Sequence, residues 1–323
     1  MTARTDRDLL VQASRLYYEL GETQHAVAER LGVTRPQVSR LLKRARAEGV
    51  VEIRIIDSAS AASPAADRLQ QRYGLDAVHL APTLLGPEDL TRRMVGRLAA
   101  DVLRTVVRDG QVVGIGDGAS VGAVADALDD AATPVRATFV PLAGGYWSTG
   151  PDRDPFRRIA DAFGGRPHGL MAPGLLDDAA TRRALESHAG VTAVLELWQR
   201  LDVALFGIGG PSWSTASVGA PTARDLEREA AVGEILIAPF DIAGRFVCKR
   251  LSERVIAFDA RQLHGLPVAI GVGSGPRKVR PIVGALRSGS VRTLVTDVAT
   301  AEAVEGFDTA ELDAPDADEA VAR

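Results

Sequence analysis

Six basic side chains stand close together near the start of the chain, with no acidic residue among them: Arg30, Arg35, Arg40, Lys43, Arg44 and Arg46. The whole chain has a formal net charge of -4, so this block lies in an otherwise acidic sequence. Clustered guanidinium and ammonium groups bind the phosphates of nucleic acids. The block therefore predicts one nucleic-acid-binding element.

Three short helices would carry this basic block. Apolar residues recur at helical spacing from Asp8 to Leu20, and Gly21 can end that helix in a left-handed conformation. Thr23 can cap a second helix that ends at Gly32, and Thr34 can open a third. A short helix, a glycine turn and a capped helix predict a helix-turn-helix, whose last helix enters the major groove of DNA.

The third helix has one apolar and one basic face. Thr34 and Gln37 have the spacing of a capping box. We assign DNA binding to the polar side: Thr34, Arg35, Gln37, Ser39, Arg40, Lys43 and Arg44. Gln37 and Arg40 are expected to contact base edges, and the remaining cations to contact phosphates. The alternative is an ordinary three-helix bundle with a solvated basic face.

The run 50–56 partly alternates apolar and polar residues, which favours a strand and hence a winged module. Residues 58–64 (SASAASP) resemble a linker in composition. We predict a DNA-binding domain over residues 1–57, a linker over 58–66, a large domain over 67–305 and a disordered acidic tail over 306–323.

Four apolar, strand-like runs in the large domain each end in a glycine-rich turn. The runs are 111–115, 137–142, 201–206 and 267–272. Their alternation with helical segments predicts an α/β sheet, and the turns would lie at its carboxyl edge, where ligands bind. Any single turn could serve only to reverse the chain.

The first of these turns suits an anion. Gly116 and Gly118 allow close approach of the backbone, the following helix offers free N–H groups, and Ser120 adds a hydroxyl. A phosphate is the expected guest. Val121 stands where a dinucleotide-binding motif needs its third glycine, and the Walker pattern is absent, so neither nicotinamide nor P-loop chemistry is expected.

Composition disfavours other kinds of site. The chain has one cysteine, Cys248, and five histidines with no pair at metal-ligand spacing, so we expect no metal and no cofactor. It shows no basic-plus-apolar leader and no run of about 18 apolar residues, from which we expect a cytoplasmic protein without a membrane segment.

These segments resemble the SorC family of bacterial sugar-responsive transcriptional regulators. The first part contains LYY, AERLG and VSRLL, and the large domain contains GIGDGASVGAVADAL, FVPLAGG, LFGIGG, AVGEILIAPFDIAGR, LSERVIAF and GVGSGPRKVRPIVGALRSGSVRTLVTDVATAEAV. The resemblance extends from about Leu9 to Val304. It implies a Rossmann-like α/β domain related to sugar-phosphate isomerases and deaminases, with a sugar, polyol or sugar phosphate as effector.

The resemblance also implies roles for single residues. Gly118 and Ser120 would hold a phosphate, Asp241 would accept hydrogen bonds from sugar hydroxyls, and Lys278 would be a cationic contact. Together with the turns, the expected effector site is Gly116, Asp117, Gly118, Ser120, Gly144, Gly145, Gly207, Gly209, Asp241 and Lys278. Asp241 could instead form a turn and Lys278 could be solvated.

Two features bear on the choice of effector. Pro239 stands where the family often has Phe. Trp147 or Trp213 could stack on a sugar, although packing within a surface loop is the commoner role for either.

We therefore expect a (winged) helix-turn-helix domain followed by a Rossmann-like sugar-phosphate-binding domain. The protein would regulate a carbohydrate-metabolism operon, with binding to double-stranded operator DNA controlled by the effector in a homo-oligomer, a dimer or tetramer. The first alternative is an isomerase- or deaminase-like enzyme held on DNA. It has little support, because only Asp117 and Asp241 supply carboxylates near the turns. The second is an architectural DNA-binding protein, which would have no use for four such turns.

Overall fold

The computed structural model describes residues 6–52, 63–128, 134–145, 154–211, 213 and 218–307. The chain divides into two compact units, Met1–Asp57 and Ser58–Arg323. None of the helices in this described part is long and apolar enough to span a membrane.

The first unit consists of short helices: α1 (Asp6–Ser14), a π-helical turn (Arg15–Glu19), α2 (Gln24–Leu31) and α3 (Arg35–Ala47). Ala13 of α1, Val27 of α2 and Leu42 of α3 meet in its core. Between α2 and α3, Gly32 adopts the left-handed conformation with φ +69°. The predicted helix-turn-helix is therefore present, and the helix expected over 8–20 is an α-helix whose final turn widens.

Local capping places the beginnings of α2 and α3 as the sequence predicts. Thr23 Oγ1 accepts a hydrogen bond from the Ala26 N–H at 3.2 Å. Thr34 and Gln37 form a capping box in which Gln37 Oε1 accepts from the Thr34 N–H at 2.7 Å. These bonds satisfy donors that a helix start otherwise leaves unpaired, so they determine where α2 and α3 begin.

The second unit is built on a seven-stranded sheet in the order β1-β9-β8-β5-β2-β3-β4, with all its paired strands parallel. A separate antiparallel hairpin is formed by β6 and β7. The strands are β1 (Ala77–Ala81), β2 (Val112–Ile115), β3 (Thr138–Pro141), β4 (Arg166–Pro167), β5 (Val203–Gly207), β6 (Ala231–Ile235), β7 (Ala238–Asp241), β8 (Val268–Val272) and β9 (Thr293–Asp297).

Helices cover both faces of this sheet. Successive residues of β5 alternate between two apolar cores: Val203 and Leu205 pack in one, and Ala204 and Phe206 in the other. A strand buried on both faces in this way gives the three-layer α/β/α arrangement expected of a Rossmann-like domain. The helices are α4 (Ala65–Tyr73), α5 (Glu88–Val106), α6 (Ala119–Ala127), α7 (Pro155–Ala162), α8 (Ala179–Glu186), α9 (Ala189–Trp198), α10 (Ala220–Arg228), α11 (Lys249–Ser252), α12 (Val279–Arg287) and α13 (Val298–Glu305).

The four strands expected to end in glycine turns are β2, β3, β5 and β8, each within two residues of its predicted bounds. The start of the large domain differs from expectation, since α4 begins at the fully buried Ala65, inside the predicted linker 58–66. In the predicted wing strand 50–56, Val50 to Glu52 belong to no strand, and residues 53–56 lie outside the described residues. The predicted tail also lies outside them from residue 308 onward.

Candidate functional site

The outer face of α3 presents all seven residues assigned to DNA. Thr34, Arg35, Gln37, Ser39, Arg40, Lys43 and Arg44 are exposed, whereas Val38, Leu42 and Ala45 on the opposite face are buried. This separation leaves the polar side of the helix available to the major groove.

The exposed residues of α3 differ in their freedom to bind. Among the described residues, no carboxylate forms an ion pair with Arg35, Arg40 or Lys43. Arg44 instead pairs with both Asp6 and Glu48. The capping box occupies the carbonyl oxygen of Gln37, which leaves its amide N–H groups as donors. Arg40 Nε donates only a long hydrogen bond, of 3.4 Å, to the Pro36 carbonyl oxygen. A DNA phosphate or base can therefore engage Arg35, Arg40 and Lys43 without breaking an ion pair.

A cavity of about 430 Å³ opens at the carboxyl edge of the parallel sheet. The turns that follow β2, β3, β5 and β8 line it. Strands β5 and β2 are neighbours in the middle of the sheet. From β2 the chain continues to β3 on one side of this pair, whereas from β5 it continues, through the β6–β7 hairpin, to β8 on the other side. The cavity thus lies at the reversal of strand order, where open α/β sheets bind their ligands.

Most of the expected effector residues meet in this cavity. Its lining includes Asp117, Gly118, Ser120, Gly144, Gly207, Gly209 and Lys278. Gly118 has φ +107° and directly precedes the first turn of α6. The N–H groups of such a first turn have no partner within the helix and favour the binding of an anion.

Three expected residues do not line the cavity. Gly116 is a packing position, because a Cβ there would stand 3.2 Å from Phe206. Gly145 donates a backbone hydrogen bond to the Ala172 carbonyl oxygen at 3.0 Å. Asp241 lies outside the cavity, contrary to expectation: it is 4% exposed and accepts hydrogen bonds from the N–H and Nε of Arg245 at 2.9 and 2.7 Å.

Glu234, which is half-buried, supplies the cavity carboxylate that the sequence predicts at Asp241. Its Oε2 accepts a hydrogen bond from Trp213 Nε1 at 3.1 Å, so this tryptophan orients a carboxylate of the cavity and does not itself line it. Lys278 Nζ donates to the Ile208 carbonyl oxygen at 2.9 Å. The strand alternation in β6 carries the signal for Glu234, because a charged residue stands there among apolar neighbours.

Burial shifts both charged groups toward neutrality. It raises the pKa of Glu234, while the Trp213 hydrogen bond and the Lys278 charge act in the opposite direction. Burial also lowers the pKa of Lys278, and the Glu234 charge opposes this shift. A half-buried cation whose charge is only partly compensated attracts an anionic ligand, which favours its charged form.

Helix packing brings two further charges to the cavity, Glu88 and Arg92 of α5. Gly96 makes this possible, because a Cβ there would stand 2.6 Å from the backbone of Ala123 in α6. The close approach brings Arg92, one helical turn before Gly96, near the N-terminal turn of α6, which lies one turn before Ala123. Glu88 lies one turn further toward the start of α5. Nothing in the local sequence of α5 distinguished Glu88 from an ordinary acidic residue at a helix start.

A buried carboxylate holds the turn after β8, which carries Arg277 and Lys278 into the cavity. Asp297 is 1% exposed and accepts hydrogen bonds from Thr83 Oγ1 at 2.6 Å and Thr300 Oγ1 at 2.5 Å. The Gly275 N–H reaches the same cluster, at 2.8 Å from Thr300 Oγ1 and 3.3 Å from Asp297 Oδ2. Asp297 therefore joins the turns after β1 and β8.

The described lining contains three cations, Arg92, Arg277 and Lys278, and three carboxylates, Glu88, Asp117 and Glu234. Cations and helix N–H groups suit a phosphate, whereas carboxylates accept hydrogen bonds from hydroxyl groups. The mixture suits a ligand that has both. Within the described residues no cluster of His, Cys, Asp and Glu is placed to hold a metal ion.

Comparison with known proteins finds matches to both parts of the chain. The family model of a sugar-binding domain matches residues 58–304, and the model of a homeodomain-like helix-turn-helix domain matches residues 5–52. The sorbitol operon regulator of Klebsiella pneumoniae is 29% identical over 92% of this chain and 97% of its own. Its full-length crystal structure superposes with a TM-score of 0.76, covering 94% of this chain and 100% of that one at 28% identity.

Two further relatives have similar coverage. The deoxyribonucleoside regulator of Bacillus subtilis is 27% identical over 93% of this chain and 98% of its own. The erythritol catabolism regulatory protein of Brucella abortus is 29% identical over 94% of this chain and 98% of its own. These relatives are named as regulators, and none is named as an enzyme.

Proposed function

Because this chain belongs to the SorC family of transcriptional regulators, with a helix-turn-helix and a sugar-binding domain, we propose which residues carry its two activities. The protein is a DNA-binding transcriptional regulator under the control of a sugar-type effector, and not an enzyme. The proposal concerns its DNA contacts, the chemical class of its effector and its assembly.

The DNA contacts are proposed from the cations of α3 that form no ion pair among the described residues. Arg40 reads a base edge in the major groove, together with the amide N–H groups of Gln37. Arg35 and Lys43 bind phosphates, which supply affinity without sequence information. Arg44 contributes only after giving up its pairs with Asp6 and Glu48, so its contribution is smaller.

The effector is a phosphorylated polyol or sugar. The single observation that carries this proposal is the mixed lining of the cavity at the edge of β2, β5 and β8. Its phosphate binds the first turn of α6 at Gly118 and Ser120, with Lys278 as the neighbouring cation. Its hydroxyls donate to Glu234 and the other carboxylates. A ligand without a phosphate would leave the lysine charge only partly compensated, by Glu234, in a half-buried site.

Regulation requires an oligomer and a differential affinity. A helix-turn-helix protein reads two half-sites, so we infer a dimer or a tetramer formed from dimers. The effector changes DNA binding only if it prefers one arrangement of the two domains, since equal affinity for both would shift nothing. We propose a DNA-binding domain over residues 1–57 and an effector domain that extends to residue 305 from the start of α4, which lies inside the predicted linker 58–66. The protein acts in the cytoplasm, where its DNA is.

Thermal unfolding of the full chain tests the effector class. A ligand that binds only the folded state stabilises it by about 2.7 kcal/mol at one hundred times its Kd. All three tryptophans, Trp147, Trp198 and Trp213, belong to the second unit, so their fluorescence reports that unit. We expect phosphorylated polyols and sugars to raise its Tm, and free sugars to have a much smaller effect.

Two lysine variants serve as the test and its control. Lys278→Met keeps the aliphatic stem but removes the ammonium, and should abolish the shift in Tm. Lys249→Met removes a lysine that is 87% exposed and pairs only with Glu253 among the described residues, and should retain it. If no phosphorylated polyol or sugar changes either Tm or operator binding, the proposed effector class is refuted.

A further inference from the structure

The tip of the β6–β7 hairpin has an unusual backbone for its residue types. Ile235 pairs with Ala238, so Leu236 and Ile237 form a two-residue turn. Both have positive φ, +53° and +63°. Such hairpin turns favour Asn and Gly, because a side chain clashes with the backbone in the left-handed conformation, and a β-branched residue such as Ile clashes most.

The side chains of this turn lie in the effector cavity. Leu236 and Ile237 are each 9% exposed, and both line it. Leu236 Cδ2 lies 3.3 Å from where a Cβ on Gly116 would stand, below the proposed phosphate turn. Ile237 Cδ1 lies 3.0 Å from the corresponding position on Gly174, beside Gly144. The turn therefore forms an apolar wall between the first and second glycine turns.

This wall cannot be built from the glycine turns themselves. A Cβ on Gly144 would stand 2.5 Å from the Ala172 carbonyl oxygen, and one on Gly174 would stand 2.7 Å from the Gly144 carbonyl oxygen. No side chain fits at either position, so bulk at this end of the cavity comes from the hairpin. The strained backbone is retained where two large apolar side chains close the cavity.

We propose that Ile237, supported by Leu236, sets the length of ligand that the cavity accepts. This inference rests on the proposed function, since it concerns the same cavity. A phosphorylated polyol with its phosphate at α6 extends toward this wall. A chain one carbon too long would press a hydroxyl against Ile237, where the hydroxyl loses water without gaining a partner. Ile237 is thus a specificity-determining residue.

The test uses the full chain and a ladder of probes: glycerol 3-phosphate, erythritol 4-phosphate, ribitol 5-phosphate and sorbitol 6-phosphate. Their Kd values are measured by calorimetry for the wild type and for Ile237→Gly, which removes four carbon atoms and suits a positive φ. We expect the wild type to bind one length best and the next length at least tenfold more weakly. Ile237→Gly should restore at least tenfold of that loss.

Two controls separate cavity size from relief of strain. Ala230 also has positive φ, +49°, but is exposed and lies outside the cavity, so Ala230→Gly should keep the wild-type preference. Ile237→Leu keeps an apolar side chain of the same size but lacks the β-branch that clashes most at positive φ, so it should keep the length limit although the strain is reduced. If the glycine variant unfolds, Ile237→Ala, which removes three carbon atoms, keeps the inference testable and should restore part of the loss.

The outcomes distinguish the two claims. If the wild type binds several lengths equally well, or if Ile237→Gly alters all affinities by the same factor, Ile237 does not set the length and the inference is overturned while the effector class stands. If Ala230→Gly changes the preference as much as Ile237→Gly, strain and not bulk is responsible, which also overturns it. If no probe binds the wild type, the effector class fails and the inference fails with it.

Discussion

Removal of the Asp297 carboxylate should have large effects both on stability and on the cavity. The carboxylate is buried and accepts hydrogen bonds from Thr83, from the side chain and N–H of Thr300, and from the Gly275 N–H. Asp297→Ala removes the N-cap of α13, which costs about 0.5–2 kcal/mol. It also removes hydrogen bonds to a charged acceptor, which are worth about 1.5–3 kcal/mol each but are not additive here.

We therefore expect Asp297→Ala to lower the free energy of unfolding of the second unit by roughly 3–5 kcal/mol. Asp297→Asn keeps one acceptor oxygen and should lose only about 1–2 kcal/mol. Because the Gly275 turn carries Lys278, both variants should also weaken effector binding, and binding should be measured well below the Tm of each variant.

Urea unfolding followed by tryptophan fluorescence measures these changes in the second unit. Trp198 is a suitable reporter, since it is 6% exposed and its Nε1 donates to the Pro141 carbonyl oxygen at 2.9 Å. Asp76→Asn is the matched control, because Asp76 pairs with Arg292 at the surface and such pairs contribute about 0–1 kcal/mol. A loss below 1 kcal/mol for Asp297→Ala would refute the assignment of Asp297 as the residue that holds these turns.

Three further predictions concern the DNA helix and the cavity lysine. Arg40→Ala should change the sequence preference in a competition assay on randomised DNA, whereas Arg35→Ala should weaken binding to all sequences and reduce the salt slope by about 1. Gln37→Ala should lower the free energy of unfolding of the first unit by about 0.5–2 kcal/mol, measured by circular dichroism, because it breaks the capping box. Affinity for a phosphorylated effector should fall as pH rises through the lowered pKa of Lys278, at a lower pH than for an exposed lysine, because the neutral amine no longer attracts phosphate. Lys278→Arg should bind without this decline.

Each of these predictions has a contrary result. A uniform loss for Arg40→Ala would remove Arg40 from base recognition. If Gln37→Ala leaves the free energy of unfolding of the first unit unchanged, tertiary packing alone holds α3. An alkaline decline that persists in Lys278→Arg would assign the titration to another group. The direction of this pH dependence follows from the burial of Lys278. The folded state holds the lysine proton less tightly than the unfolded state, so the positive charge is lost at a lower pH than in an exposed lysine.

Much of the architecture is contained in local sequence. The caps at Thr23 and Thr34 and the turn at Gly32 depend on residues within a few positions of one another, so the helix-turn-helix could be predicted without a structure. Strands buried on both faces appear as continuous apolar runs, and each ends where glycines begin. The four glycine turns were predicted to share one edge of the sheet for the same reason, since parallel strands end on the same side.

Only the tertiary structure decided which side chains enter the cavity. Asp241 and Glu234 lie on adjacent strands of one hairpin, yet Glu234 faces the cavity and Asp241 pairs with Arg245 outside it. That difference depends on how the hairpin packs against the sheet, through the bridge between Gly209 and Glu234, which are far apart in sequence. Long-range packing also decides two other residues of the cavity. Arg92 reaches it because α5 packs closely against α6, and Ile237 reaches it because it lies in the strained turn of the hairpin. Local periodicity specifies elements and their ends, whereas the set of residues that meet at a site is specified by long-range packing.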